Sequence, residues 1–407
     1  MSKGLYKKEP LWTPAFTMLV LSNLFVFMSF QMLIPIMPPY IESLGASGTE
    51  IGLVTALFSI GAIVIRPFIG YLLSFQGRKH LVLIGSLSLL VMTVIYPLTN
   101  IVVFFLIARL LHGLAWGWST TANGTAAVDI TPNSRLGEGM GYFGLSVTIG
   151  MIVAPGLGIL LYQMYDFNVN IIVSLVLGAL AFIMLSTIKY QTPTAVKNTT
   201  KADVPFSFTG SLVEKASWYP AMITLSATFA YGTIATFIMI FAEERAIESM
   251  FLFYMVNAVI ATCVRPITGR WFDKHGPKGL VIFCASFSFV AMWVLSITTS
   301  WVGVVIVGLL FGLGFGSLLP ALQAWVLSKS TPERRGVANG MHMSCIDLGI
   351  GASSLVFGMI AKYVPTGSLF QMSSVFFLVV IFLTWRADKK DLPAQISPVQ
   401  GRVSQSG

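Results

Sequence analysis

Asp347 is the side chain in this sequence best suited to carry a proton. It lies in the run His342-Met343-Ser344-Cys345-Ile346-Asp347-Leu348-Gly349, about ten residues into an apolar stretch. At about 1.5 Å per helical residue that depth is roughly 15 Å, near the midplane of a bilayer. It is the only carboxylate that falls there, whereas Arg66, Arg109 and Arg265 fall well inside apolar stretches. Burial favours the neutral form of a carboxyl group and a neighbouring guanidinium favours the charged form. A carboxylate whose cationic partner comes and goes would therefore load and release a proton. No metal-ligand spacing, nucleophile–base set or phosphate loop accompanies these residues, so the sequence predicts no enzyme, no metal and no cofactor.

These groups are carried by a chain that is 55% hydrophobic and only 10% charged, against about 25% charged in soluble domains. A spanning helix needs about 20 apolar residues. Twelve stretches qualify, near 14–40, 49–73, 80–98, 101–127, 138–162, 168–188, 219–242, 250–272, 279–298, 301–327, 337–362 and 368–387. The predicted fold class is an all-α membrane protein with 12 transmembrane helices. The formal charge of +9 is not a nucleic-acid signature. With both chain ends cytoplasmic, 20 of the 25 Lys and Arg residues fall in cytoplasmic segments and only Arg245 and Lys362 outside, which is the positive-inside pattern. Cys263, Cys284 and Cys345 all fall in spans and are expected to be buried packing residues. The first apolar run is too long for a signal-peptide core and lacks a cleavage site.

The spans form two copies of one unit. Arg66, Pro67, Gly70 and Gly77 recur as Arg265, Pro266, Gly269 and Gly276, each 199 residues later. Leu110-Leu111-His112-Gly113-Leu114 aligns with Leu309-Leu310-Phe311-Gly312-Leu313 at the same offset, and Thr131-Pro132 with Arg135 matches Thr331-Pro332 with Arg335. A duplicated membrane unit is the plan of a two-lobed transporter with its site between the lobes. The organisation expected is an N-terminal six-helix lobe at 1–188, a cytoplasmic linker at 189–217 with a short interfacial helix near Phe206–Leu212, a C-terminal six-helix lobe at 218–388 and a disordered cytoplasmic tail at 389–407. A monomer in the lipid bilayer is expected.

Four local patterns resemble the major facilitator superfamily, and within it the 12-span drug:proton antiporters. The resemblance covers Phe16 to Arg386. Gly70-Tyr71-Leu72-Leu73-Ser74-Phe75-Gln76-Gly77-Arg78-Lys79 is similar to the family's G-x-L-x-D-R-x-G-R-K loop, with Ser74 in place of the acid; the second copy keeps it as Asp273, with Lys274. Asp129 is a possible partner for Arg78. Arg109-Leu110-Leu111-His112-Gly113 resembles R-x-x-Q-G with His112 in the Gln place. By that resemblance Arg109 orients substrate or biases proton exchange; the alternative is a structural arginine bonded to backbone carbonyls. His112 reads as a core imidazole bonded to a neighbour. Gly150-x-x-x-Ala154-Pro155-x-x-Gly158 resembles the antiporter signature of span five. Small residues there let helices approach and proline bends the helix. Leu33-Ile34-Pro35-Ile36-Met37-Pro38-Pro39-Tyr40 resembles the end of span one in bacterial drug exporters.

In the family, spans two and eleven touch across the lobe interface. The resemblance therefore implies an Arg66–Asp347 contact formed in one state only, with a permanent structural pair as the alternative. Gating is expected of Gly70, Gly77, Arg78, Lys79, Asp129, Gly150, Pro155, Gly158, Gly269, Asp273 and Gly276. A lining of amides and aromatics is expected from Asn23, Gln31, Arg109, Trp116, Asn123, Tyr231, Asn257, Gln323 and Trp325, with Phe229, Phe237 and Phe315 nearby. Such a surface suits amphipathic or cationic organic molecules. The function implied is export of small organic molecules by proton antiport and alternating access, from a bacterial inner membrane. The alternatives are a dedicated exporter of one metabolite (a metallophore, sugar or lipid headgroup) and a non-transporting receptor.

Overall fold

The computed structural model describes residues 10–73, 75–98, 101–132, 135–190, 206–330 and 334–387. In lipid every backbone donor and acceptor must be satisfied within the chain, which leaves helices as the economical solution for a sequence this apolar. The first half contains α1 (Pro14–Gln31), α2 (Met37–Ser43), α3 (Gly48–Leu73), α4 (Arg78–Ile95), α5 (Val102–Ile130), α6 (Leu136–Met164) and α7 (Phe167–Thr187). After the short α8 (Phe208–Leu212) come α9 (Trp218–Glu244), α10 (Phe251–His275), α11 (Pro277–Ile297), α12 (Trp301–Leu313), α13 (Phe315–Lys329), α14 (Arg335–Ile360) and α15 (Thr366–Arg386). Among the described residues eleven helical segments are long and apolar enough to span a bilayer, and the Phe251–Arg265 part of α10 is a shorter apolar helix.

Two predicted spans are broken. The stretch 14–40 is not one helix, because α1 stops at Gln31 and a turn leads into α2. Pro35, Pro38 and Pro39 each lack the N–H that would continue it. The stretch 301–327 divides at Gly314, whose φ of −83° and ψ of −91° leave the helical region. A Cβ there would crowd the Cys284 carbonyl and the Ser288 side chain, so α12 and α13 sit directly on α11.

The faces of α7 differ in residue size. On α7, Ile171, Ser174, Gly178, Ala181 and Leu185 are buried, while Ile172, Val176, Leu180 and Ile183 are exposed. Small and hydroxyl side chains thus make the helix seams and large aliphatics meet lipid. Trp12, Tyr165, Trp218, Trp301, Tyr363 and Trp385 are exposed near helix ends, where amphipathic rings favour the interface. Cys263 faces outward, whereas Cys284 and Cys345 are buried; the expectation of three buried thiols fails at Cys263, which sits on an exposed face of α10.

The duplication is visible in the packing. α1 packs on α6 and α7, α3 on α5, and α4 on α7; in the second half α9 packs on α14 and α15, α10 on α12 and α13, and α11 on α15. Between the halves, α3 meets α14 and α6 meets α10, again a symmetric pair. The chain is therefore two six-span bundles related by pseudo-symmetry. The repeated turn is not identical in its copies: Gly276 adopts φ +73°, which only glycine takes freely, while Gly77 has φ −66° and ψ 138°.

The bundles close at one end. We call the side of Pro14 and Arg386 the terminal side. On the opposite side, added Cβ atoms at Gly48 and Gly52 of α3 would strike the α14 backbone, and one at Gly156 of α6 would strike Tyr254 and Met255 of α10. Toward the terminal ends of the same helices, Gly70, Gly269, Gly336 and Gly340 have open space at that position among the described residues.

Candidate functional site

A chamber lies between the bundles. Its walls come from Phe27, Phe30 and Gln31 of α1, Ile34 of the turn after it, Thr55, Phe58, Ser59 and Arg66 of α3, Arg109, Trp116 and Thr120 of α5, and Met151 of α6. The other bundle supplies Tyr231 and Ala235 of α9 and Met343, Ile346, Asp347 and Ile350 of α14. The aromatic wall is continuous: Phe30 stacks on Phe58 at 4.5 Å, and Phe27 and Phe30 lie 4.8 and 4.3 Å from Trp116.

Arg66 and Asp347 meet in this chamber. Arg66 Nη2 donates to Asp347 Oδ2 at 2.5 Å, with the side chains 7% and 14% exposed. Arg66 Nη1 donates to Thr120 Oγ1 at 3.2 Å, and its Nε is buried without a partner. The pair joins α3 of one bundle to α14 of the other. A guanidinium held by only one carboxylate and one hydroxyl retains unused donors, so its partners are open to exchange.

Arg109 is only 2% exposed. Its Nε donates to the Val54 carbonyl at 2.9 Å and its Nη1 to the Tyr96 hydroxyl at 3.3 Å. The Phe58 ring centroid is 4.5 Å from its central carbon. Tyr96 in turn lies 2.7 Å from His112 Nδ1. His112 is thus a buried imidazole in a hydrogen-bonded chain and lies outside the chamber. Sequence reasoning missed Tyr96, Thr120, Phe58 and the Val54 carbonyl, since only the folded helices bring them to the arginines.

Several expected lining residues sit elsewhere. Asn23 faces the α1–α6 seam, donating to Ser146 at 2.9 Å. Asn123 is buried within its bundle with its side-chain oxygen unpartnered. Asn257 packs against Gly312 and Gly316. Gln323 donates to Asn339 at 2.9 Å, and Trp325 is fully buried in the core. Phe229 packs on Phe376, and Phe237 is core. Phe315 stacks on Tyr231 at 4.6 Å from behind the chamber wall. Gln31, Arg109, Trp116 and Tyr231 do line it.

Of the expected gating residues, Arg78 donates through Nε to Asp129 at 2.5 Å and through Nη1 to the Leu73 carbonyl. Lys79 is exposed. A Cβ on Gly150 would meet Phe27, and one on Gly158 the Met32 backbone, so this face of α6 packs within its own bundle, with Pro155 inside the helix. Gly156, not singled out by the sequence, is the residue that touches the other bundle. A Cβ added at Gly70 or Gly269 would meet nothing within 4 Å among the described residues. Ser74, the side chain of Asp273, linker positions 191–205 and the tail lie outside the described residues.

The arrangement of two pseudo-symmetric six-helix bundles around a charged central chamber defines a two-lobed membrane transporter fold. The chain belongs to the Major Facilitator Superfamily, whose model matches residues 19–291 and 255–405. An uncharacterised MFS-type transporter of Methanocaldococcus jannaschii is 26% identical over 360 residues, 86% of this chain and 92% of that protein. Multidrug resistance protein 2 of Bacillus subtilis is 23% identical over 340 residues, 81% of this chain and 85% of its own length. The crystal structure of the human organic anion transporter MFSD10 superposes with a TM-score of 0.69 at 16% identity, covering 91% of this chain and 99% of that one.

Proposed function

We propose that this protein exports small organic molecules in exchange for protons by alternating access. The observation that carries the reading is the Arg66–Asp347 pair, which bridges the two bundles inside the chamber at 2.5 Å. When the bundles rock, α3 and α14 shift and the pair parts. Asp347 then loses its counter-charge in an apolar wall and takes a proton; when the pair re-forms, the proton leaves. The likeness to a multidrug resistance protein supports export as the direction. Residues 1–188 and 218–388 are the moving lobes, joined by the linker 189–217. Positive-inside charge supports a cytoplasmic terminal side, so the present state is open to the cytoplasm. The relatives support a prokaryotic cell membrane. One proton moving inward supplies about 2.3 kcal/mol per 100 mV and about 1.4 kcal/mol per pH unit. Arg78 with Asp129 steadies the turn between spans two and three, and Gly156 with Gly52 seals the outer side.

The test is flux in proteoliposomes. With a pH gradient imposed, the purified protein is expected to concentrate a substrate dye against its gradient, and collapse of the gradient is expected to stop it. Equal flux with and without the gradient would rule out proton antiport.

A further inference from the structure

The chamber carries more positive than negative charge. Among its described lining residues the charged side chains are Arg66, Arg109 and Asp347, and Arg66 occupies Asp347. Arg109 has no carboxylate partner among the described residues; its two hydrogen bonds go to neutral oxygens, those of Val54 and Tyr96. A guanidinium has five N–H donors, so three stay unspent, at the free end of the fork. Arg109 lines the chamber, and its Nη2 is not among the unpartnered atoms sealed from solvent. The Phe58 ring fixes the plane of the fork.

An uncompensated cation among apolar walls is unfavourable. Bonds to neutral oxygens and to a ring face reduce that cost without cancelling the charge. A second cation entering the chamber would raise it, and an anion would remove it. Carboxylate and sulfonate oxygens match the free end of a guanidinium fork.

We propose that the substrates are amphipathic organic anions. The acidic group seats on the free end of Arg109 and the apolar body lies among Phe27, Phe30, Trp116 and Tyr231. This narrows the sequence-based expectation, which admitted cationic molecules. It rests on the export reading for the direction of movement but not for the binding preference. The proton site stays separate. Arg109 bonds α3 at Val54, twelve residues before Arg66, which is about 18 Å along the helix. An inside-negative membrane potential also drives such a substrate outward.

Two probes of one shape test the proposal: naphthalene-2-sulfonate and 2-naphthyltrimethylammonium, titrated calorimetrically into the full chain in nanodiscs. The sulfonate is expected to bind at least tenfold more tightly. Arg109→Gln is expected to erase that preference and Arg109→Lys to keep part of it, with thermal unfolding confirming that each variant folds. The wild-type comparison needs no variant and decides the matter alone. Equal or tighter binding of the ammonium probe, or no binding of either, overturns the proposal. Flux separates the two readings: anion-selective binding without pH-driven flux defeats export only, and pH-driven flux of the ammonium probe alone defeats anion selectivity only.

Discussion

The carboxylate of Asp347 and the guanidinium of Arg66 are 281 residues apart in sequence and 2.5 Å apart in space. They belong to different bundles, so the bond between them crosses the interface of the two. Removing one member of a buried pair strands the other charge, which typically costs about 3–5 kcal/mol. We expect Asp347→Asn and Arg66→Gln each to lower the melting temperature, and the double variant to recover much of the loss. Asp347→Asn should retain downhill substrate flux but lose pH-driven accumulation. Persisting uphill transport in that variant would remove Asp347 from the coupling step.

Gly52 lies where α3 touches the backbone of α14 at Ser354 and Leu355. Gly52→Val inserts a branched side chain into that contact and should wedge the closed side open. A cysteine introduced at Gln31, on the chamber wall, should then react with an impermeant maleimide from that side several-fold faster. An unchanged labelling rate would show that the seal does not depend on this contact.

Arg78 spends its Nε on Asp129 and its Nη1 on the Leu73 carbonyl. Lysine presents one ammonium and cannot keep both bonds in that geometry. Arg78→Lys should therefore destabilise the protein measurably, by about 1–3 kcal/mol, despite conserving charge. Thermal melts of the variant against wild type check this.

On the closed side, partial burial in the first place, and the nearby Glu244 carboxylate in the second, raise the Glu42 carboxyl above the ordinary range. Glu243 also faces Glu42, while Glu244 accepts from Thr366. A raised pKa in the closed form means the closed form binds this proton more tightly. At pH below the ordinary carboxylate value the group is protonated in every state and costs nothing. As pH rises from that value through the raised one, the closed side loses stability. Glu42→Gln should flatten this dependence in melts run between about pH 4 and 8.

The spans were legible because bilayer thickness imposes a length that composition alone reveals, and most predicted ends fall within about three residues of the helices. Pro35, Pro38 and Pro39 were visible as punctuation, yet the stretch containing them still reads as one apolar run. The chamber was much less legible. In a soluble helix the polar stripe marks the outside. Here lipid and helix seams are equally apolar, so Asn23, Asn123, Gln323 and Trp325 gave no sign of which way they turn. The residues that could be placed, Arg66, Arg109 and Asp347, were placed because charge in a membrane has few tolerable positions. Tyr96 and Thr120 carried no such signal, being ordinary until a guanidinium arrives.

The segment between the bundles is moored at both shores. Phe206 stacks on Phe68 at 5.2 Å and touches Tyr71, while Glu214 is paired with Arg334 at the start of α14. The gape of the mouth on the terminal side is thus limited by the few residues from Phe206 to Glu214, not by the full length of the connection. Extra chain spliced in upstream of Phe206 would hang slack, whereas cutting either mooring would let the mouth yawn wider.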